Sequence, residues 1–219
     1  MTGQNTQKQI FAMIVLMFLG VAGLGAYVWF DDGRRVEAQD KALIEDAVRG
    51  ADLFARNCRI CHGNNGLGST GNPQLIGPAL NKPSNTLAFR SGNIGALGTI
   101  QGRLHDTVSC GRNGTPMPPW AVAQGGSLND FKVSMLVTLI TTNAGNTWEY
   151  ALEEAIHEDE EAIGGLEFAL ADAHASDASE ETIANLEELL ETAESRFEQG
   201  LPVGTPLLSL TKDSCGQRS

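Results

Sequence analysis

The sequence predicts a mainly α-helical protein in three parts: an N-terminal apolar helix, a helical domain built around one Cys/His motif, and an acidic helical C-terminal third. Three observations carry that reading. Residues 10–30 contain no charged side chain, residues 58–62 read Cys-Arg-Ile-Cys-His, and the charge balance changes sign near residue 140. The 219 residues leave room for one domain with appendages, or for two small ones. With 42% hydrophobic and 19% charged residues, the chain is neither disordered nor a polytopic membrane protein. A net charge of −12 excludes a nucleic-acid binder, which needs surplus cations at its surface. Four Cys are too few for a disulfide scaffold at this length.

The first part divides into a tail at residues 1–9, a transmembrane anchor at 10–30 and a linker at 31–45. The 21 residues from Ile10 to Phe30, at about 1.5 Å each, cross the roughly 30 Å hydrocarbon core of a bilayer. Tyr27, Trp29 and Phe30 suit the aromatic belt where a helix leaves the membrane. A cleaved signal peptide competes, with small residues near Ala22 to Ala26 as its cleavage site. The apolar run continues past Ala26, which favours an uncleaved single-pass anchor. Lys8 alone precedes the span, whereas Arg34, Arg35 and Lys41 follow it, so the positive-inside count opposes an extracytoplasmic C-terminal side. The chemistry of the next motif outweighs that count. Gly20, Ala22, Gly23, Gly25 and Ala26 would let a neighbouring helix approach closely.

Cys58-Arg59-Ile60-Cys61-His62 is C-x-x-C-H, the signature of covalent c-type haem attachment. Both thiols lie on one side of a single helical turn, where they add to the haem vinyl groups. His62 follows at once and supplies the proximal nitrogen ligand. A redox dithiol and half of a zinc site compete for the same spacing. Neither accounts for the motif as well: a redox pair does not require the His, and no second C-x-x-C or suitably spaced His pair occurs. One covalent haem c is expected.

Residues 46–140 resemble the class I cytochrome c family along their whole length. Gly50 and Phe54 stand eight and four residues before Cys58, where that family has the Gly and aromatic of its first helix. Ile76-Gly77-Pro78-Ala79-Leu80 is similar to the family's G-P-x-L element. Gly114-Thr115-Pro116-Met117-Pro118-Pro119-Trp120 is similar to its distal loop, and Leu128 to Ile140 to its last helix, which crosses the first. Where the family usually has an aromatic beside the final Ile, this chain has Leu139. The resemblance implies that the Pro78 carbonyl accepts the second ring N–H of His62 and fixes its tautomer. It implies also that Leu80 packs on the haem, that Trp120 borders it with the distal loop, and that Met117 is the sixth ligand. His105 is the alternative ligand; Met117 is favoured because flanking prolines hold it in an irregular loop. Met135 reads as helix core, and His157 and His174 as solvated. Residues 63–102, rich in Gly, Asn and Pro, read as loops around the cofactor.

The last part, residues 141–219, holds an acidic helical hairpin and a C-terminal strap. Residues 146–199 carry 17 acids against Arg196 alone, whereas residues 46–140 carry a net +4. Trp148, Leu152, Ile156, Ile163, Leu166 and Leu170 mark a first helix, opened by a capping box at Asn146 to Glu149. Ile183, Leu186, Leu190, Ala193 and Phe197 mark a second, capped by Ser179 or Asp177 and stopped by Gly200. The acids are read as a solvated face, or as a docking surface for a basic partner. Haem attachment occurs outside the cytoplasm, an oxidising compartment, so Cys110 and Cys215 are expected to form a disulfide; two free thiols are the alternative.

An iron with His and Met on its two axial positions has no open site, so electron transfer rather than catalysis is expected. The whole plan resembles the monohaem cytochrome subunit of a quinol-oxidising assembly such as alternative complex III, facing the periplasm. Its partners would be the membrane, other subunits of the complex, and a redox donor and acceptor. A cytochrome subunit or tethered donor of a haem–copper oxidase or reaction centre is the runner-up. A haem sensor with a displaceable Met117 is the reading from another class.

Overall fold

The computed structural model describes residues 3–204. Among them are eight α-helices and two short 3-10 turns, and the extended pairing is limited to one bridge between Ala121 and Leu128. The chain divides into two compact units, Met1–Leu43 and Ile44–Ser219.

Helix α1 (Gly3–Asn57) occupies the described part of the first unit and continues as the opening helix of the second. It contains an 18-residue window of mean hydropathy 2.3, none of it buried, and is long and apolar enough to cross a membrane. Residues 31–45, expected as a linker, are helical. The cause is local: the stretch has no Pro, and its charges pair one turn apart. Asp31 accepts from Arg34 at 2.9 Å and Arg35 at 2.7 Å, and Glu37 from Lys41 at 2.9 Å. The Arg34 guanidinium also lies 4.9 Å from the Tyr27 ring centroid, a cation–π contact.

In the second unit, Ala47, Ala51, Phe54 and Ala55 recur at helical spacing and are buried on one face of α1. Helix α6 (Asp130–Thr142) crosses that face at Gly50. A Cβ at Gly50 would overlap the Met135 carbonyl and lie 3.2 Å from Leu139 Cβ, so the crossing requires a residue without a side chain. Gly50→Ala is therefore expected to destabilise the unit by about 1–3 kcal/mol, read as a lower urea midpoint at unchanged slope. Asn129 caps α6, its Oδ1 accepting from Lys132 N at 2.9 Å, and Asn143 ends it in the left-handed conformation at φ 46°. Leu139, in the place of the family's aromatic, is fully buried.

Helices α2 (Arg59–His62) and α3 (Gly68–Gly71) are single turns, and α4 (Pro83–Arg90) and α5 (Ile94–Cys110) pack on α6. Residues 63–102, expected as loops, are thus partly helical. Glycines 95, 98 and 102 disguise the start of α5, since each is less favourable than Ala by about 1 kcal/mol. The Asn93 side chain offsets part of this as an N-cap, accepting from Ala96 N at 3.0 Å.

Helices α7 (Thr147–Ala175) and α8 (Glu180–Glu198) pack against each other. Ser179 caps α8 by accepting from Thr182 N at 3.2 Å. At its other end Gly200 takes φ +66° while Gly200 N donates to Phe197 O and Leu201 N to Arg196 O. The capping box at Asn146 does not form. Asn146 is left-handed and makes no side-chain cap bond; instead Asn143 Oδ1 accepts from Trp148 N at 3.3 Å. Trp148 is buried against the edge of Phe54, with ring centroids 5.0 Å apart at 82°. Its indole also covers Gly66, where any Cβ would collide with the ring. The strap is described only as far as Gly204, and Cys215 lies outside the described residues.

Candidate haem site

Helix α1 runs into the C-x-x-C-H motif almost without a break. Cys58 N donates to Phe54 O at 2.8 Å, and His62 N to Cys58 O at 3.0 Å, so both cysteines and the histidine share one helical course. Gly63, at φ +76°, turns the chain away immediately afterwards. His62 is buried, and its Nδ1 lies 2.8 Å from the Pro78 carbonyl. A carbonyl only accepts, so Nδ1 carries the proton and Nε2 keeps its lone pair. Burial lowers the His62 pKa from its ordinary value, against the opposing effect of the Pro78 hydrogen bond, and keeps the ring neutral at pH 7.

A short return loop holds Pro78 in place. Gly77 N donates to Cys61 O at 2.9 Å, and Leu80 N and Asn81 N donate to Gly66 O at 2.8 and 2.9 Å. A Cβ at Gly77 would sit 2.7 Å from His62 Nδ1, so the backbone passes the ring as closely as glycine permits.

Met117 lies in a loop anchored by its backbone. Arg112 N donates to Met117 O at 3.1 Å, and Trp120 N and Ala121 N donate back to the end of α5 at Val108 O and Ser109 O. On the far side Leu128 N donates to Trp120 O at 2.8 Å, and Gly126 is pressed against the Trp120 backbone. Cys58, Leu80, Met117 and Trp120, together with Leu53 and Leu104, are half-buried around one core. Cys61, His62 and Pro78 join them through α2 and the return loop. His105 is turned to other work, its Nε2 lying 3.0 Å from Asp130 Oδ1. His157 lies 3.9 Å from Glu161 on α7, and His174 is exposed. Cys110 is half-buried at the end of α5.

The two motif thiols do not have the character of a redox dithiol. Burial, with Cys61 next to it, pushes Cys58 up to about 12, and burial raises Cys61 as well. A reactive dithiol instead lowers one thiol well below its ordinary value. Two neutral thiols beside a neutral imidazole with a free Nε2 lone pair, bordered by an apolar rim and a thioether, are a donor set that fits a covalently held haem.

Residues 47–143 match the cytochrome c family. The chain contains a cytochrome c domain. It is also similar to the Cbb3-type cytochrome c oxidase subunit FixP of Bradyrhizobium sp. (strain ORS 278), 36% identical over 75 residues. That alignment takes in 34% of this chain and spans about a fifth of the relative's length, 21%. No solved structure matches the chain.

The cofactor of the cytochrome c domain is haem c, covalently bound. When bound, its iron supplies one-electron chemistry between Fe(III) and Fe(II). The chain's own residues would do the rest. Cys58 and Cys61 would hold the macrocycle, Pro78 sets the His62 tautomer, and Leu80 and Trp120 would exclude water. The backbone bonds around Met117 hold the loop that carries its thioether.

The cytochrome c domain also engages residues that the sequence analysis passed over. Asp159 of α7 is fully buried and accepts from the Arg59 guanidinium, from Asn64 Nδ2 at 2.9 Å and from Val203 N at 2.7 Å. Arg59 is one of the two variable positions of the motif, and Asp159 had been counted among solvated acids. A signal was present in the sequence: Ala151, Ala155 and Asp159 recur every four residues, which puts the acid on the buried stripe of α7. Beside this pair, the exposed Arg56 bridges the half-buried Glu158 at 3.3 Å.

Proposed function

We propose that this chain is a membrane-anchored monohaem c-type cytochrome of class I that relays single electrons on the extracytoplasmic side as a subunit of a membrane redox complex. The observation that carries the reading is His62: buried, neutral, held through Nδ1 by Pro78, and one residue from Cys61 in a C-x-x-C-H turn. The apolar, unburied span in α1 supports anchoring. Haem attachment outside the cytoplasm supports the orientation and, with Cys58 and Cys61 taken up by the haem, a bridge between Cys110 and Cys215. Met117 supplies the sixth ligand in this proposal, which leaves the protein an electron relay and not an enzyme.

The relative from Bradyrhizobium is an oxidase subunit by name. On that ground a cytochrome subunit of a cytochrome c oxidase ranks ahead of a quinol-oxidising assembly or a reaction centre as the setting. Purification in mild detergent, with identification of what co-purifies, tests this directly. Oxidase core subunits are the expected companions; a protein that elutes alone sinks the subunit reading and leaves a tethered carrier.

Helices α7 and α8 form an acidic hairpin in this reading, and their outward acids steer a basic partner. Removing both helices would be a poor test, because Trp148 and Asp159 belong to the core. Changing the exposed Glu187, Glu188, Glu191 and Glu194 to Gln is better. Electron transfer with a basic donor should slow by about tenfold at low salt and lose most of its salt dependence. Unchanged rates at every salt concentration would return those acids to a purely solvating role.

A further inference from the structure

Arg59 stands between the two haem-attachment cysteines, and its guanidinium points into the protein, where it is 6% exposed and meets the fully buried carboxylate of Asp159. The other partners of that carboxylate, Asn64 Nδ2 and Val203 N, are neutral donors, so among the described residues Arg59 is the cation that balances its charge. The two residues are 100 apart in sequence, and the cytochrome c match ends at residue 143, before α7 begins. The carboxylate therefore comes from the segment added after the cytochrome c domain.

We infer that Asp159 is a positioning residue for the haem's redox potential: through Arg59 it fixes the turn that carries Cys58, Cys61 and His62, and it cancels a buried positive charge on that turn. A lone guanidinium there would favour Fe(II) over Fe(III), because oxidation adds a positive charge to the iron. A lone carboxylate would favour Fe(III). Inside the protein either charge acts through a low effective dielectric, whereas in water it would be screened. Stability alone does not account for such a pair, since replacing a buried ion pair by well-packed apolar groups of similar volume is often neutral or stabilising. The inference rests on haem attachment at the C-x-x-C-H turn, and not on which complex the chain serves.

The test is redox titration of the haem-loaded full chain. Asp159→Asn should raise the ratio of reduced to oxidised haem at the wild-type midpoint about tenfold, the order of effect of one poorly screened charge. Arg59→Gln should lower it by a similar factor, and Arg59→Gln with Asp159→Asn together should return the midpoint to the wild-type value. Glu158→Gln removes the carboxylate of the neighbouring, partly solvated pair and should move the ratio by less than about twofold. Opposite shifts that cancel in the double variant are a charge effect, which a merely structural role does not produce. Single variants that hold haem yet shift in the same direction, or not at all, overturn the inference. Where a single variant takes up no haem, the double variant decides: uptake with the wild-type midpoint supports charge balance, and failure of the double variant too makes the pair a folding element and overturns the proposal. Haem absent from Cys58 and Cys61 in the wild-type chain would instead overturn the haem assignment itself.

Discussion

With Met117 as the proposed sixth ligand, Met117→Ala is expected to leave the haem attached through Cys58 and Cys61 and to open its sixth position. The loop should survive the change, because its backbone is what anchors it. Met117 itself contributes its carbonyl to Arg112 N at 3.1 Å, a bond that Ala keeps, and Trp120 N still donates to Val108 O. Truncation thus removes a thioether without moving the segment that carried it. The reduced variant should bind carbon monoxide where the parent should not, and the absorption band expected of Met–iron ligation should vanish. The potential should fall by about 100 mV or more, well inside the roughly 0.8 V over which axial ligands move haem potentials. A variant that still ignores carbon monoxide at an unchanged potential would place the ligand elsewhere. A parent protein that binds carbon monoxide readily would favour the sensor reading. His105→Ala is the companion control, and its spectrum should match the parent's, since His105 is engaged by Asp130.

The second large effect is on stability. Trp148→Ala should destabilise the second unit by about 3–5 kcal/mol, the range for removing a buried aromatic. Trp148 is 5% exposed and touches both Phe54 of α1 and the chain at Gly66. The loss therefore opens a cavity between the motif-bearing segment and α7. For a protein of this size the melting temperature should drop by roughly 6–20 °C. A drop of less than about 3 °C would mean that the site collapses around the gap or that the indole contributes little. Trp148→Phe keeps part of the edge contact with Phe54 and should recover about half of the loss.

The parts of the fold that follow a local rule were legible in the sequence. The apolar periods of α7 and α8 come through because burial of one face imposes a 3.6-residue repeat, and Ser179 and Gly200 mark the ends of α8 by the backbone groups they satisfy. The C-x-x-C-H turn was legible because covalent attachment allows few spacings. Less visible were features that composition and spacing do not single out. Residues 31–45 carry ordinary charged side chains, and their helicity depends on pairs one turn apart. The cap on α7 moved from Asn146 to Asn143 because Asn143 already ends α6 in a left-handed turn. Asp159 was hidden by its company: among 17 acids in residues 146–199, only its register with Ala151 and Ala155 distinguishes it. Arg59 occupies a motif position that tolerates many residue types, so nothing in its immediate neighbourhood announces a buried partner.

The docking of α7 on the attachment turn has a kinetic consequence. Closing contacts between residues 59 and 159, or 64 and 159, restricts a loop of about a hundred residues, and that entropy is lost before any contact is gained. Helices α7 and α8 meet across a four-residue turn and need no such closure. They should therefore pair with each other quickly and settle on the cytochrome c domain slowly. Arg59 precedes by a hundred residues the acid that neutralises it, so in a chain exported as it is made the motif reaches the attachment machinery before its back is covered. The arrival of α7 is then what seals the turn.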